Sequence, residues 1–156
     1  METNEKLAEV LNGLIEINHD RVNGYEKAIE ETKDLDMDLK SIFRSMANDS
    51  SKYASELSAV VSGLGATPAD GTTNSGKLYR VWMDVKSTFT GHDRQSVLEL
   101  CEFGEDAAQK AYKAAMESDA EMPADTRQLI AEQQAKLKTS HDMIKKYRDL
   151  HKAVEA

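Results

Sequence analysis

Residues 97–116 read VLELCEFGEDAAQKAYKAAM, and the interpretation of the other helices starts from this stretch. Apolar side chains recur in it every three or four residues, at Val97, Cys101, Ala108, Tyr112 and Ala115. This spacing predicts an amphipathic helix with one buried stripe. Glu105 falls inside the stripe, with no proline near it. A carboxylate in a helical core is costly unless a cation, a metal or a hydrogen-bond donor compensates it. The partners of Glu105 are therefore the main functional question.

The composition predicts a helical domain with an acidic surface. A chain of 156 residues can bury a substantial core, and we expect one domain over residues 1–156. Two prolines permit long helices, and an aromatic content of 6% is low for a sheet protein. The formal net charge of −8 argues against nucleic acid or an anionic membrane surface as the main partner.

Cysteine content and the first residues indicate a reducing compartment. Cys101 is the single cysteine of the sequence, so it cannot form an internal disulfide, and its place on the apolar stripe predicts a core thiol. The opening METNEKLAEV lacks the basic start and apolar run of a signal peptide, and no stretch reaches transmembrane length. We therefore expect a cytoplasmic protein.

The same periodicity predicts four long helices, at about residues 4–33, 37–62, 93–118 and 123–154. The first and second helices, and the third and fourth, are joined by short turns, so each pair should be antiparallel. Residues 63–76 are rich in Gly, Pro, Asn and Ser, and Leu78, Trp82, Val85 and Phe89 then predict a short amphipathic helix. A short, long, short loop pattern is typical of an all-α, ferritin-like four-helix bundle with one crossover.

All four predicted stripes turn polar near mid-helix. The interruptions fall at residues 18–20, Asp49, Glu105 and His141. Ser50 takes the place of Asp49 if the helical repeat of the second helix is shifted by one residue. Antiparallel hairpins would bring Asp20 near Asp49, and Glu102 or Glu105 within about a turn of His141. The candidate metal ligands are Asp20, Asp49, Glu105 and His141, with iron or another divalent metal as the candidate ion.

The pattern departs from the dimetal template, in which two helices each supply a Glu and two each supply a Glu-x-x-His. The second helix has Asp49-x-x-Lys52, and the fourth has Lys138-x-x-His141. A charged ammonium is not a metal ligand, so the dinuclear pattern is absent as written. The alternative is a metal-free polar network in which Lys52, Lys138 or a protonated His141 supplies the cation.

Four segments carry a family resemblance: LNGLIEINHDRVNGY (11–25), LYRVWMDVKSTFTG (78–91), CEFGEDAAQKAY (101–112) and KLKTSHDMIKKYRDLH (136–151). Together they resemble a bacterial family of ferritin-like four-helix-bundle proteins of unknown function. The resemblance extends over about residues 7–151. It implies the bundle and a ferritin-like relationship, and it implies no activity, substrate or catalytic residue.

Three classes of function stay open from the sequence. The favoured one is a non-enzymatic structural or interaction bundle without a cofactor, which the family resemblance alone associates with stress and which could form a homo-oligomer through its helix faces. The second is a metal-binding protein or oxidoreductase that uses a reduced carboxylate and histidine site. The third is a small-molecule binding bundle, which an apolar cavity beside Trp82 would favour. No nucleophile–base motif, phosphate loop or cofactor fingerprint is present in the sequence.

Overall fold

The computed structural model describes residues 2–31, 37–71 and 94–155, and within them the chain forms four α-helices. These are α1 (Glu2–Glu31), α2 (Met37–Gly63), α3 (Arg94–Glu117) and α4 (Ala124–Glu155). The predicted bounds agree with the observed ones to within two residues. The predicted crossover helix, with Trp82, lies outside the described residues. In the described part of the chain, no helix combines the length and apolar character that a bilayer span requires.

Side-chain hydrogen bonds between helices show which helices are neighbours and in which direction each one runs. Arg21 of α1 meets Ser50 of α2 and Glu105 of α3, while Tyr112 of α3 meets Gln133 of α4. As residue numbers rise along α1, the numbers of the residues that it contacts in α2 and α3 fall. Helix α1 is therefore antiparallel to both α2 and α3. Consequently α2 and α3 run parallel, as the long connection between them predicts.

Two apolar clusters form the core, and they lie on opposite sides of mid-bundle. The first joins the N-terminal half of α1 to the C-terminal half of α2, and its members include Leu7, Leu11, Leu57, Ala108 and Ile130. The second joins the opposite halves, and its members include Tyr25, Leu39, Phe43, Cys101 and Ile144. Burying these stripes supplies the main driving force for packing the helices. The buried polar side chains described below lie between the two clusters.

The end of α2 is a glycine cap that turns the chain back along α1. Gly65 has φ of 82°, a left-handed conformation that glycine adopts without strain. The amide of Ala66 donates to the carbonyl of Val61 at 3.2 Å, and the amide of Gly65 donates to Ser62 at 3.0 Å. This pair of bonds is the Schellman motif. The cap satisfies carbonyls that the end of the helix would otherwise leave free.

The chain after the cap is attached to α1 by the side chains of Asn12 and His19. The Asn12 amide nitrogen donates to the carbonyl of Thr67 at 3.2 Å, and the Asn12 side-chain oxygen accepts from the amide of Ala69 at 2.8 Å. Further on, His19 Nδ1 lies 2.7 Å from the carbonyl oxygen of Gly71. The connection therefore starts by running lengthwise beside α1.

Candidate functional site

Each helix places a buried polar residue on the stripe that otherwise carries its apolar residues. In α1 the buried positions 7, 11, 14, 18, 21, 25 and 28 alternate steps of four and three, and two of them are Asn18 and Arg21. We call the buried set at mid-bundle the central polar layer; its members are Asn18, Arg21, Ser50, Glu105, Tyr112 and Gln133. Because these residues share the core stripe, helix packing itself brings them together.

Arg21 is the cation of the central polar layer. Its guanidinium donates through Nη1 to Ser50 Oγ and through Nη2 to Glu105 Oε1. The Tyr25 hydroxyl donates to the same Glu105 oxygen. The side chains of Arg21 and Glu105 are 1% and 0% exposed, so this is a fully buried ion pair. The Tyr25 ring also lies beneath the cation, with 5.4 Å between Arg21 Cζ and the ring centroid.

The charges in this pair move the pKa values of the neighbouring groups. Burial alone would lower the pKa of Arg21, but the Glu105 carboxylate and Tyr25 together raise it above its ordinary value. Burial raises the pKa of Tyr25 well above its usual range, and the Glu105 charge raises it further. Arg21 therefore stays protonated and Tyr25 stays a neutral donor at every physiological pH.

A second chain of hydrogen bonds extends the layer toward α4. The Tyr112 hydroxyl accepts from Asn18 Nδ2 at 2.8 Å and donates to Gln133 Oε1 at 2.7 Å. Gln133 Nε2 in turn donates to Glu56 at 3.2 Å and lies 3.4 Å from the carbonyl of Tyr53. All four helices are thereby joined at mid-bundle.

Some polar atoms of the central polar layer form no hydrogen bond within the described residues. Glu105 Oε2 and Arg21 Nε are buried there without a hydrogen-bond partner. Each such atom carries a desolvation cost. The layer therefore stabilises the fold by less than its number of hydrogen bonds suggests. Its main effect is to fix the register of the helices, that is, which residues face one another.

Among the residues that the structure describes, no three of the four predicted metal ligands have their ligand atoms mutually close. Asp20 and Glu105 are fully buried, whereas Asp49 is half-buried and lies near Tyr53, whose pKa burial and the Asp49 charge raise to about 12. His141 is 20% exposed and contacts Asp106 rather than Glu105.

The predicted cations are also elsewhere. Lys52 is exposed, and Lys138 is exposed on α4, 3.2 Å from Asp142. Arg21 occupies the role proposed for them because it is already on the core stripe of α1, and its fork of donors reaches two helices at once. The sequence analysis places the mid-helix break of α1 at residues 18–20 and takes Asp20 as its candidate ligand, whereas the alternating steps of four and three in α1 are the signal for Arg21.

A dimetal centre does not fit the central polar layer. Arg21 places a permanent positive charge against the Glu105 carboxylate, which is where a divalent ion would need its ligands. Among the described residues, the only three acidic, histidine or cysteine groups whose ligand atoms lie mutually close are Glu102, Asp106 and His141. Glu105 is not among them.

The Glu102, Asp106 and His141 group lies on the outer side of the α3–α4 hairpin. His141 Nε2 is 2.5 Å from Asp106 Oδ1, and His141 Nδ1 is 3.2 Å from Asp142 Oδ1. Burial would lower the pKa of His141, but the bonds to Asp142 and Asp106 raise it. Glu102 is paired with Arg148. We call Glu102, Asp106 and His141 the hairpin cluster.

The single thiol lies beside the central polar layer and is buried. Cys101 is 0% exposed. Burial raises the pKa of its thiol well above the usual range, and the charge of Glu105 adds to the rise. The thiol is therefore protonated and shielded, which agrees with the predicted core position.

Comparisons with known proteins identify a family of unknown function and a fold, and they identify no activity. A family model described as "Domain of unknown function (DUF2383)" matches residues 6–118. Among solved structures, a mutant of Mycobacterium smegmatis Dps1 superposes with a TM-score of 0.81 at 13% identity, over 94% of this chain and 97% of that one. No curated protein matches the sequence. The structural likeness supports the predicted all-α, ferritin-like four-helix bundle, and at 13% identity it shows the fold alone.

Proposed function

The chain belongs to the DUF2383 family, and we propose that it is a non-enzymatic ferritin-like bundle with a buried Arg–Glu pair at mid-bundle, where dimetal ferritin-like bundles place their metal ligands. The observation that carries the proposal is the position of Arg21. Its guanidinium is inserted between Ser50, Tyr25 and Glu105 at the middle of the bundle. A positive charge there compensates Glu105 without a metal.

The chemistry of the layer supports a structural role. A general base or nucleophile needs a pKa near the working pH or an adjacent activating group. Burial and the Glu105 charge move Tyr25 and Cys101 away from that range, toward their protonated forms. Neither group is therefore prepared for proton transfer or nucleophilic attack.

Self-association through helix faces is part of the proposal. Met143 and Leu150 are 40% and 53% exposed, and they lie two turns apart on one face of α4. Exposed apolar side chains grouped on one helix face favour contact with another protein surface. Light scattering on the purified protein measures the assembly directly. The formal net charge of −8 supports the expectation that nucleic acid is not the partner.

An iron-oxidation assay tests the non-enzymatic proposal. We expect Fe²⁺ to oxidise in the presence of the protein at the rate seen in buffer, both for the natural sequence and for Glu105→Gln. An oxidation rate above buffer that Glu105→Gln abolishes would establish the runner-up function, a metal-dependent oxidoreductase at the central polar layer. Circular dichroism of both proteins confirms that they are folded at the assay temperature.

A further inference from the structure

We propose that the hairpin cluster binds one divalent transition cation of the Zn²⁺ class, at a site separate from the middle of the bundle. One ligand atom from each of Glu102, Asp106 and His141 lies within 4.8 Å of the other two. Glu102 and Asp106 are one helical turn apart on α3, and His141 faces them from α4. A bound ion would therefore link two helices.

The ligand chemistry determines the class of ion. One imidazole nitrogen and two carboxylate oxygens suit Zn²⁺ and its first-row neighbours, whereas Ca²⁺ and Mg²⁺ prefer all-oxygen sites. Three protein ligands leave a fourth position for water or a small anion.

Only a small movement separates the observed geometry from a coordinated one. Ligand atoms of a tetrahedral zinc site lie roughly 3.4 Å apart, given bonds of about 2.1 Å. His141 Nε2 and Asp106 Oδ1 are closer than that, at 2.5 Å. The Asp106 side chain is 52% exposed and is free to rotate outward. On binding, the proton shared by Nε2 and Asp106 leaves to solvent and the nitrogen lone pair goes to the ion.

Asp142 positions the histidine for this role. Its Oδ1 lies 3.2 Å from His141 Nδ1, the ring nitrogen that faces away from Asp106. Histidines that bind metal commonly donate the second ring N–H to a carboxylate, which fixes the tautomer and the ring orientation. Asp142 is therefore a positioning residue rather than a ligand.

Arg148 holds the third ligand in the metal-free protein. Its guanidinium donates to Glu102 through Nη1 and to Asp149 through Nη2, the latter at 2.7 Å. The cation neutralises Glu102, and it also competes with an incoming ion for a carboxylate oxygen. Glu105, the acid of the central polar layer, is outside the cluster, so this site stands independently of the function proposed above.

The test uses tag-free protein stripped of metal and then titrated with Zn²⁺ by calorimetry and with Co²⁺ by visible absorbance. We expect one equivalent to bind. His141→Ala should weaken binding at least tenfold, and Asp106→Asn provides a second ligand variant at a half-exposed position where folding is not at risk. Asp142→Asn should weaken binding about 10- to 100-fold, the usual effect of losing the carboxylate behind a metal-binding histidine.

Two matched controls separate this site from other sources of binding. His19→Ala removes a histidine of α1 whose ring nitrogen lies against the carbonyl of Gly71, away from the hairpin cluster, and it should leave the affinity unchanged. Glu105→Gln should also leave it unchanged. The proposal is wrong if the natural protein binds no equivalent, or if His141→Ala and Asp106→Asn bind as tightly as the natural sequence. Binding that is lost only in Glu105→Gln would overturn both this site and the metal-free middle of the bundle, whereas failure here alone leaves the latter intact.

Arg148→Gln supplies a test with the opposite sign. If Arg148 competes for Glu102, then its removal should raise the Zn²⁺ affinity several-fold. A simple loss of structure would lower the affinity instead. An unchanged or lower affinity in folded Arg148→Gln would contradict the role given to Glu102 as a ligand.

Discussion

The ion pair between Arg21 and Glu105 can be tested by a double-mutant cycle. Replacing Arg21 by Met keeps an unbranched apolar stem and removes the guanidinium with its charge, which leaves Glu105 buried with the Tyr25 hydroxyl as its remaining hydrogen-bond donor. Replacing Glu105 by Gln leaves the buried Arg21 cation without its counter-charge. An uncompensated buried charge costs about 3 to 5 kcal/mol, so each single variant should lose that much unfolding free energy. For a chain of 156 residues this corresponds to a fall of about 6 to 20 °C in Tm.

The double variant should recover most of the loss. In Arg21→Met with Glu105→Gln no charge remains, and the Gln amide oxygen can still accept the Tyr25 hydroxyl. We expect it to lie within about 2 kcal/mol of the natural protein, since a neutral buried amide with one bond carries a modest cost. Urea unfolding followed by circular dichroism gives all four free energies. Single losses below about 1 kcal/mol, or a double loss equal to the sum of the singles, would refute the account of Arg21 as the charge partner of Glu105.

Three further perturbations test other parts of the structure. Cys101 should react with a thiol reagent far more slowly in the native protein than in urea, and labelling at the rate of a free thiol would contradict its burial. Tyr112→Phe removes a hydroxyl that joins two buried amides, so it should cost about 1 to 3 kcal/mol of unfolding free energy, and a neutral result would show that the bonds do not matter. Gly65→Ala should cost about 1 to 2 kcal/mol because of its left-handed φ, while Gly63→Ala, where an added Cβ meets nothing within 4 Å, should be neutral or stabilising; equal effects in urea unfolding would contradict the cap.

The fold was predictable because apolar periodicity is a local property of the sequence. Buried residues of α3 recur at 98, 101, 105, 108, 112 and 115, so the exposure of each side chain follows from its position in the repeat. Glu105 was identified as buried on that basis. The parallel arrangement of α2 and α3 followed from loop length alone.

The partners of Glu105 were not predictable with the same certainty, since they depend on the relative rotation of four helices. A shift of one position along α1 exchanges Asp20 for Arg21, and along α2 it exchanges Asp49 for Ser50. Each shift turns a helix by about 100° and replaces an acid by a cation or a hydroxyl. The sequence predicts Glu102 near His141, two members of the hairpin cluster, but not Asp106, which lies next to Glu105 in sequence and faces His141 on the outer side of the α3–α4 hairpin.

The attachment of the crossover to Asn12 has a consequence for hydrogen exchange. The amide of Ala69 lies outside the helices, yet it donates to a side chain of α1 rather than to water. Its exchange requires only that Asn12 release the loop, whereas the amides of buried helical turns exchange through larger openings. The protection of this amide therefore measures how firmly the start of the crossover is held to α1. Asn12→Ala would remove that protection and leave the exchange of the core amides as it was.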